Sequence, residues 1–172
     1  MKLTTKAVLL VGALALAACT NAGRFDNADS VNLNDQPGSG AGGAPGFDDP
    51  SSPAYFQQAI GDRVLFAVDQ HTLSAEARAT LDAQANWLAQ NPDYSAVIEG
   101  HADEQGTREY NLALGGRRAN AVYEYLISKG VSASRLKFVT YGKERPIEIC
   151  SEEACYAKNR RAVTVIAGSV TS

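Results

Sequence analysis

The sequence predicts an α/β protein in which helices pack on one four-stranded sheet, preceded by a segment that cannot build a core. Three observations carry this prediction. Strand-like alternation of apolar residues recurs at 63–68, 94–99, 136–141 and 162–167. Helix-spaced apolar stripes fall between those runs, giving the strand–helix alternation of βαβ units. Before about residue 55 the composition changes to Gly, Ala, Pro, Ser, Asn and Asp. The stretch from 55 to 168 has the size of one ordinary domain.

Residues 1–18 read as an export signal. Lys2 and Lys6 supply a positive start, and the apolar run from Ala7 to Ala18 is too short to span a bilayer. The run ends in Leu16, Ala17, Ala18 and Cys19, which resembles the lipobox of bacterial lipoproteins. That resemblance implies cleavage before Cys19, S-diacylglycerol and N-palmitoyl groups on it, and outer-membrane delivery, since Thr20 follows where aspartate would favour inner-membrane retention. Several acyl chains on one residue would anchor firmly.

The segment 19–54 reads as a flexible linker. Isolated Phe25, Val31, Leu33 and Phe47 offer too little burial to offset the entropy of ordering. A linker of this length and composition reaches about 30–35 Å on average. The net charge of −3 becomes about −5 once Lys2 and Lys6 are removed. No Lys/Arg tract exists to neutralise phosphates, which sets nucleic acid aside.

Within the domain, Val64, Phe66 and Val68 share one face of the first strand. Ser74 is an N-cap candidate, and Ala77, Leu81, Ala85 and Leu88 mark a helix that stops before Asn91 and Pro92. After the second strand, Gly100 opens a polar loop holding His101, Asp103 and Glu104. A helix over 109–129 then buries Leu112, Ala119, Val122 and Leu126 and ends at Gly130. A short helix over 152–158 separates the last two strands, and 169–172 is a tail.

Asn111 and Arg118 lie seven residues apart, two turns along the same helix face, and the Asp103 loop sits at that helix's entrance. A carboxylate and a guanidinium facing one another across a gap suit a zwitterion, the acid taking an ammonium and the arginine a carboxylate. Arg117 is rotated about 100° away and cannot share that task. Gly115 and Gly116 each cost the helix about 1 kcal/mol relative to alanine. They point to close approach by either a ligand or a packed strand.

Gly100, His101, Ala102 and Asp103, followed by Gly106, Thr107, Asn111, Leu114, Arg118 and Ala119, resemble the signature of OmpA-like peptidoglycan-binding domains. The Tyr141 to Pro146 run and the Asn159 to Val163 run extend the likeness over roughly 55–167. The resemblance implies a βαβαβαβ sandwich with a mixed sheet. It implies that Asp103 contacts the ammonium of diaminopimelate in the peptidoglycan stem peptide and that Arg118 takes its carboxylate. Asp69 is placed beside the ligand, with Val68 where Phe is common, and Arg160 is favoured over Arg161 near the site. The lipobox and linker favour the lipid-anchored branch of the family, which implies TolB and TolA as partners and a role in outer-membrane constriction. No cofactor is implied.

His101 is flanked by Glu99, Asp103 and Glu104 but reads as a loop-shaping histidine, hydrogen-bonded within the loop, with Glu99 pointing the same way. His71 reads as exposed. Cys150 and Cys155, with four residues between them, are expected to form a disulfide in an oxidising compartment, two free thiols being the competing reading. A metal site is disfavoured, because no second Cys/His pair lies nearby. A hydrolase would need paired carboxylates, of which Glu99 and Asp103 are the only close set, or a nucleophile or zinc motif that the sequence lacks. The expected class is a non-catalytic binding module.

Overall fold

The computed structural model describes residues 49–168. The expected export signal, Cys19, the linker through residue 48 and the tail at 169–172 lie outside the described residues. Four strands form one mixed sheet, β1 (Arg63–Leu65), β2 (Ser95–His101), β3 (Leu136–Gly142) and β4 (Arg161–Ala167), in the order β1-β4-β2-β3. β4 is antiparallel to both β1 and β2, and β2 runs parallel to β3. The helices are α1 (Pro53–Tyr55), α2 (Ala75–Gln90), α3 (Arg108–Ser128) and α4 (Glu153–Asn159). The α/β class and the strand–helix alternation are as expected. Among the described residues no helix is long and apolar enough to cross a membrane.

Local chemistry explains the boundaries. The Ser74 hydroxyl accepts from the Ala77 amide at 3.1 Å and starts α2. Thr107 does the same for α3 through Tyr110, at 3.2 Å, which starts that helix one residue before the expected 109. Gly130, at φ 94°, ends it, its own amide and that of Val131 turning back onto the carbonyls of Ile127 and Leu126. Ala77, Leu81, Ala85 and Leu88 from α2 meet Ala119, Val122 and Leu126 from α3 over Ala96 and Ile98 of β2. Of the apolar residues expected in the core of α3, Leu112 is the one left half-buried.

Three elements depart from expectation. β1 stops at Leu65 rather than 68, because β4 supplies partners only from Arg161 to Val163. One further bond, from the Phe66 amide to the Arg160 carbonyl at 2.9 Å, precedes a turn with Asp69 at φ 55°. Phe66 stays buried while Val68 swings out to 53% exposure. β2 runs on to His101, which pairs with Gly142, so His101 belongs to the strand rather than the loop. The folded region also begins before 55: Trp87 donates its indole N–H to the Pro50 carbonyl at 2.8 Å, and Phe56 packs on Trp87 with ring centroids 4.9 Å apart. A π-helical turn, Phe56–Gly61, links α1 to β1. Phe56 is buried in the core, and Tyr55 and Ile60 pack against it.

For Gly115 the choice resolves in favour of the strand, whereas Gly116 has only ordinary contacts. A Cβ on Gly115 would lie 2.5 Å from the Thr140 hydroxyl and 2.9 Å from the Gly100 carbonyl oxygen. α3 therefore rests directly on β2 and β3, and this fixes the start of the helix above the strand ends.

Candidate functional site

Where β1 and β2 end, the turn at 66–70, the turn at 102–106 and the first two turns of α3 enclose a cleft of ≈ 250 Å³. Val68, Asp69, Asp103, Gln105, Gly106, Tyr110, Asn111 and Leu114 line it. The chemistry of that lining is one-sided. It holds two carboxylates, several apolar surfaces and no lysine or arginine.

The 102–106 turn is held from three sides. The Asp103 carboxylate accepts from the Gln105 amide at 3.3 Å. Asn111 donates its side-chain amide to the Gln105 carbonyl at 2.8 Å, so this buried residue shapes the turn rather than capping the helix, which Thr107 does. The Lys143 ammonium reaches the carbonyls of Gly106 at 2.8 Å and Glu104 at 3.3 Å.

Arg118 is fully buried and takes no part in the cleft lining. Its guanidinium donates to the carbonyls of Gln70 (2.8 Å), His101 (2.8 Å) and Ala67 (3.2 Å), and it stacks over the Phe66 ring at 5.3 Å. Burial pulls its pKa down to about 10, opposed by the nearby Asp103 charge, so it remains a cation at neutral pH. The expected open fork is thus occupied by backbone. The sequence placed Arg118 on the same helix face as Asn111 but could not show that carbonyls from the 66–70 turn and the end of β2 would converge on it.

Arg160 does reach the site. It donates to Asp103 Oδ2 at 3.1 Å, to the Phe66 carbonyl at 3.2 Å and to both oxygens of Glu153. Arg161 points away, its fork reaching the carbonyls of Asn159 and Arg145. Asp69 is exposed in its turn and accepts from the Tyr110 hydroxyl. Arg117 sits outside the cleft, its guanidinium 6.0 Å from the Tyr110 ring. The structure joins Cys150 to Cys155, Cα atoms 6.0 Å apart. Among the described residues no His, Cys, Asp and Glu side chains gather as a metal-binding group.

Tyr110 and Glu153 are contributors that the sequence reading did not single out, and Leu114 entered it only as part of the family signature. Tyr110 and Leu114 are spaced i, i+4 on α3, a signal that would have placed them beside Asn111. Glu153 and Arg160, seven residues apart around α4, carry the same kind of signal.

His101 differs from expectation. Neither ring nitrogen has a hydrogen-bond partner, and the ring is buried against Tyr141, with Glu99 3.7 Å from Nε2. Its main-chain carbonyl, not its ring, ties the site together through Arg118. Burial lowers its pKa from 6.5 to about 4, with help from the Arg161 and Arg145 charges. The unfolded chain binds this proton at a higher pH than the folded one does. Its contribution to stability is therefore complete above pH 6.5 and is lost as the pH falls toward about 4. Urea denaturation at about pH 7 and about pH 4.5 is expected to show wild type losing roughly 2 kcal/mol more than His101→Gln between the two conditions. Parallel losses in both proteins would refute this.

The sequence model of the OmpA family matches residues 65–160. The chain is 48% identical over 162 residues to a protein of Mesorhizobium japonicum (strain LMG 29417 / CECT 9101 / MAFF 303099) named peptidoglycan-associated lipoprotein, covering 94% of this chain and 91% of the relative. A protein of the same name from Rhizobium meliloti (strain 1021) is also 48% identical, with 94% and 87% covered. The crystal structure of the peptidoglycan-associated lipoprotein from Burkholderia pseudomallei superposes with a TM-score of 0.63 at 37% identity, covering 70% of this chain and 98% of that one. The C-terminal domain of Helicobacter pylori MotB shares the fold at a TM-score of 0.59 and 20% identity, over 63% of this chain and 86% of that one.

Proposed function

Because the chain belongs to the OmpA family, and within it to the peptidoglycan-associated lipoproteins, we propose that its cleft holds a diaminopimelate-type residue of the peptidoglycan stem peptide. The observation that carries this reading is a small cleft with Asp69 and Asp103 in its lining and the buried Arg118 cation bound to the Ala67 and Gln70 carbonyls of the turn that carries Asp69. The ligand ammonium goes to Asp103, whose carboxylate has lone pairs beyond those used by Arg160 and the Gln105 amide. The ligand carboxylate lies toward the Arg118 side. There the guanidinium acts mainly through its charge, since three of its N–H groups already serve carbonyls. Val68, Tyr110 and Leu114 pack on the aliphatic part of the ligand, and Asn111 holds the turn that presents Asp103.

In this reading the protein is a non-catalytic envelope lipoprotein. Glu99, which the sequence paired with Asp103, sits beside His101 and is absent from the cleft lining. Acylated Cys19 anchors the chain in the outer membrane, and the segment that follows lets the domain reach the cell wall. By resemblance to the family, TolB and TolA are its protein partners, and the complex supports envelope integrity and constriction at division.

Sedimentation with purified peptidoglycan sacculi tests the cleft. The mature chain from Cys19 onward, in mild detergent, is expected to pellet with sacculi. Asp103→Asn, which keeps shape but removes charge, is expected to bind at least about tenfold more weakly. If folded wild type stays in the supernatant, the domain is instead chiefly a protein-binding module. Equal pelleting of the two proteins would move the site elsewhere.

A further inference from the structure

The cleft carboxylate that faces the ligand is not alone. Asp103 pairs with Arg160 Nη1 at 3.1 Å, and the same guanidinium pairs with both oxygens of Glu153, Nη1 being shared between the two carboxylates. Asp103 and Arg160 are both buried, whereas the Glu153 side chain is 66% exposed. A lone Asp103–Arg160 pair would be neutral and would offer a cation little. With Glu153 added, one guanidinium is shared between two carboxylates, and the group carries a net negative charge at the cleft wall.

Glu153 is held where it can do this. It lies inside the ring closed by Cys150 and Cys155, at the first residue of α4. Ser151, in the same ring, donates its hydroxyl to Glu104 of the cleft turn at 3.2 Å. Asn159 pins the approach to the ring by accepting from the amides of Ile147 (2.9 Å) and Glu148 (3.2 Å) and donating to the Glu148 carbonyl (2.8 Å). The disulfide loop therefore forms a second support for the 103–106 turn, reached through side chains rather than backbone.

We propose that Glu153 is a positioning residue for ligand recognition: by drawing the Arg160 guanidinium toward α4 it leaves the Asp103 carboxylate with unneutralised charge for the ligand ammonium. Without Glu153, Arg160 settles on Asp103 alone and competes with the ammonium for the same oxygens. The inference rests on the peptidoglycan-binding reading above and adds to it a residue outside the cleft lining. Because Glu153 is exposed and its partner Arg160 keeps Asp103 and the Phe66 carbonyl, substitution at 153 leaves the fold in place.

Calorimetric titration of the mature chain with meso-diaminopimelate tests it. Wild type is expected to bind, Glu153→Gln to bind about three- to tenfold more weakly, and Glu153→Asp to recover most of the difference because charge is retained. Added salt is expected to weaken wild type more than Glu153→Gln, since the lost interaction is between charges. Equal affinities and equal salt dependence in wild type and Glu153→Gln would overturn the role of Glu153 while leaving the cleft assignment standing. Failure of Glu153→Asp to recover affinity would assign the effect to shape rather than charge and also overturn the proposal. Absence of binding by folded wild type would instead remove the underlying reading, and this inference with it.

Discussion

Replacing Arg118 by alanine is expected to lower the thermal midpoint by more than about 10 °C, as well as to abolish binding. The guanidinium is fully buried and is the shared donor for Ala67 and Gln70 of one turn and His101 at the end of β2. Truncation leaves three carbonyls short of a charged donor and opens a cavity beside the Phe66 ring. Groups left unsatisfied in this way cost about 1–3 kcal/mol each. Loss of sacculus binding in this variant would therefore not by itself identify a ligand contact. Differential scanning calorimetry decides the matter. A midpoint within a few degrees of wild type would mean that Arg118 is not the structural hub described here.

Gly100→Ala is expected to be comparably damaging by the opposite route. The added Cβ would sit 1.9 Å from the Gly115 carbonyl oxygen and 2.7 Å from its carbon, both backbone atoms of α3. No rotamer change relieves that contact, so the helix must lift from β2. Overpacking of this kind costs about 1–3 kcal/mol and more where backbone is involved, and here it would also shift Asn111 and Leu114 relative to Asp103. Gly116→Ala is the control, since its Cβ would meet Thr140 at an ordinary 3.9 Å. There the better helix propensity of alanine is expected to add up to about 1 kcal/mol. Guanidinium denaturation of the three proteins reads both signs at once, and similar losses at 100 and 116 would refute the close helix–strand contact.

The two glycines show where the sequence reading stopped. Helical spacing located Gly115 inside α3 and priced it as a local defect, but it could not choose between a ligand and a strand as the close neighbour. That choice depends on how α3 lies across β2 and β3, which periodicity does not encode. His101 failed in a similar way. Its polar neighbours in sequence suggested a hydrogen-bonded loop residue, while the pairing of His101 with Gly142 drew it into the sheet and left its ring between Tyr141 and Glu99. Val68 followed strand alternation in the sequence, yet β4 has no partner for it, and the chain turns outward to form the cleft rim.

By itself the sequence determined the α/β class, the order of the four strands and of the helices between them, the caps at Ser74 and Gly130, and the placing of Asp103 before α3 with Asn111 and Arg118 on one face of that helix. These are properties of short segments, set by side-chain period, turn chemistry and capping, and they survive without knowledge of distant neighbours. Only the tertiary structure decided that Arg118 is buried under backbone carbonyls, that Arg160 rather than Arg118 pairs with Asp103, and that Glu153 stands behind that pair. Those outcomes depend on which charged groups lose their water together when separate segments converge. Burial and partner choice are settled by the packed fold, because the same arginine is a surface fork or an internal brace according to what closes over it.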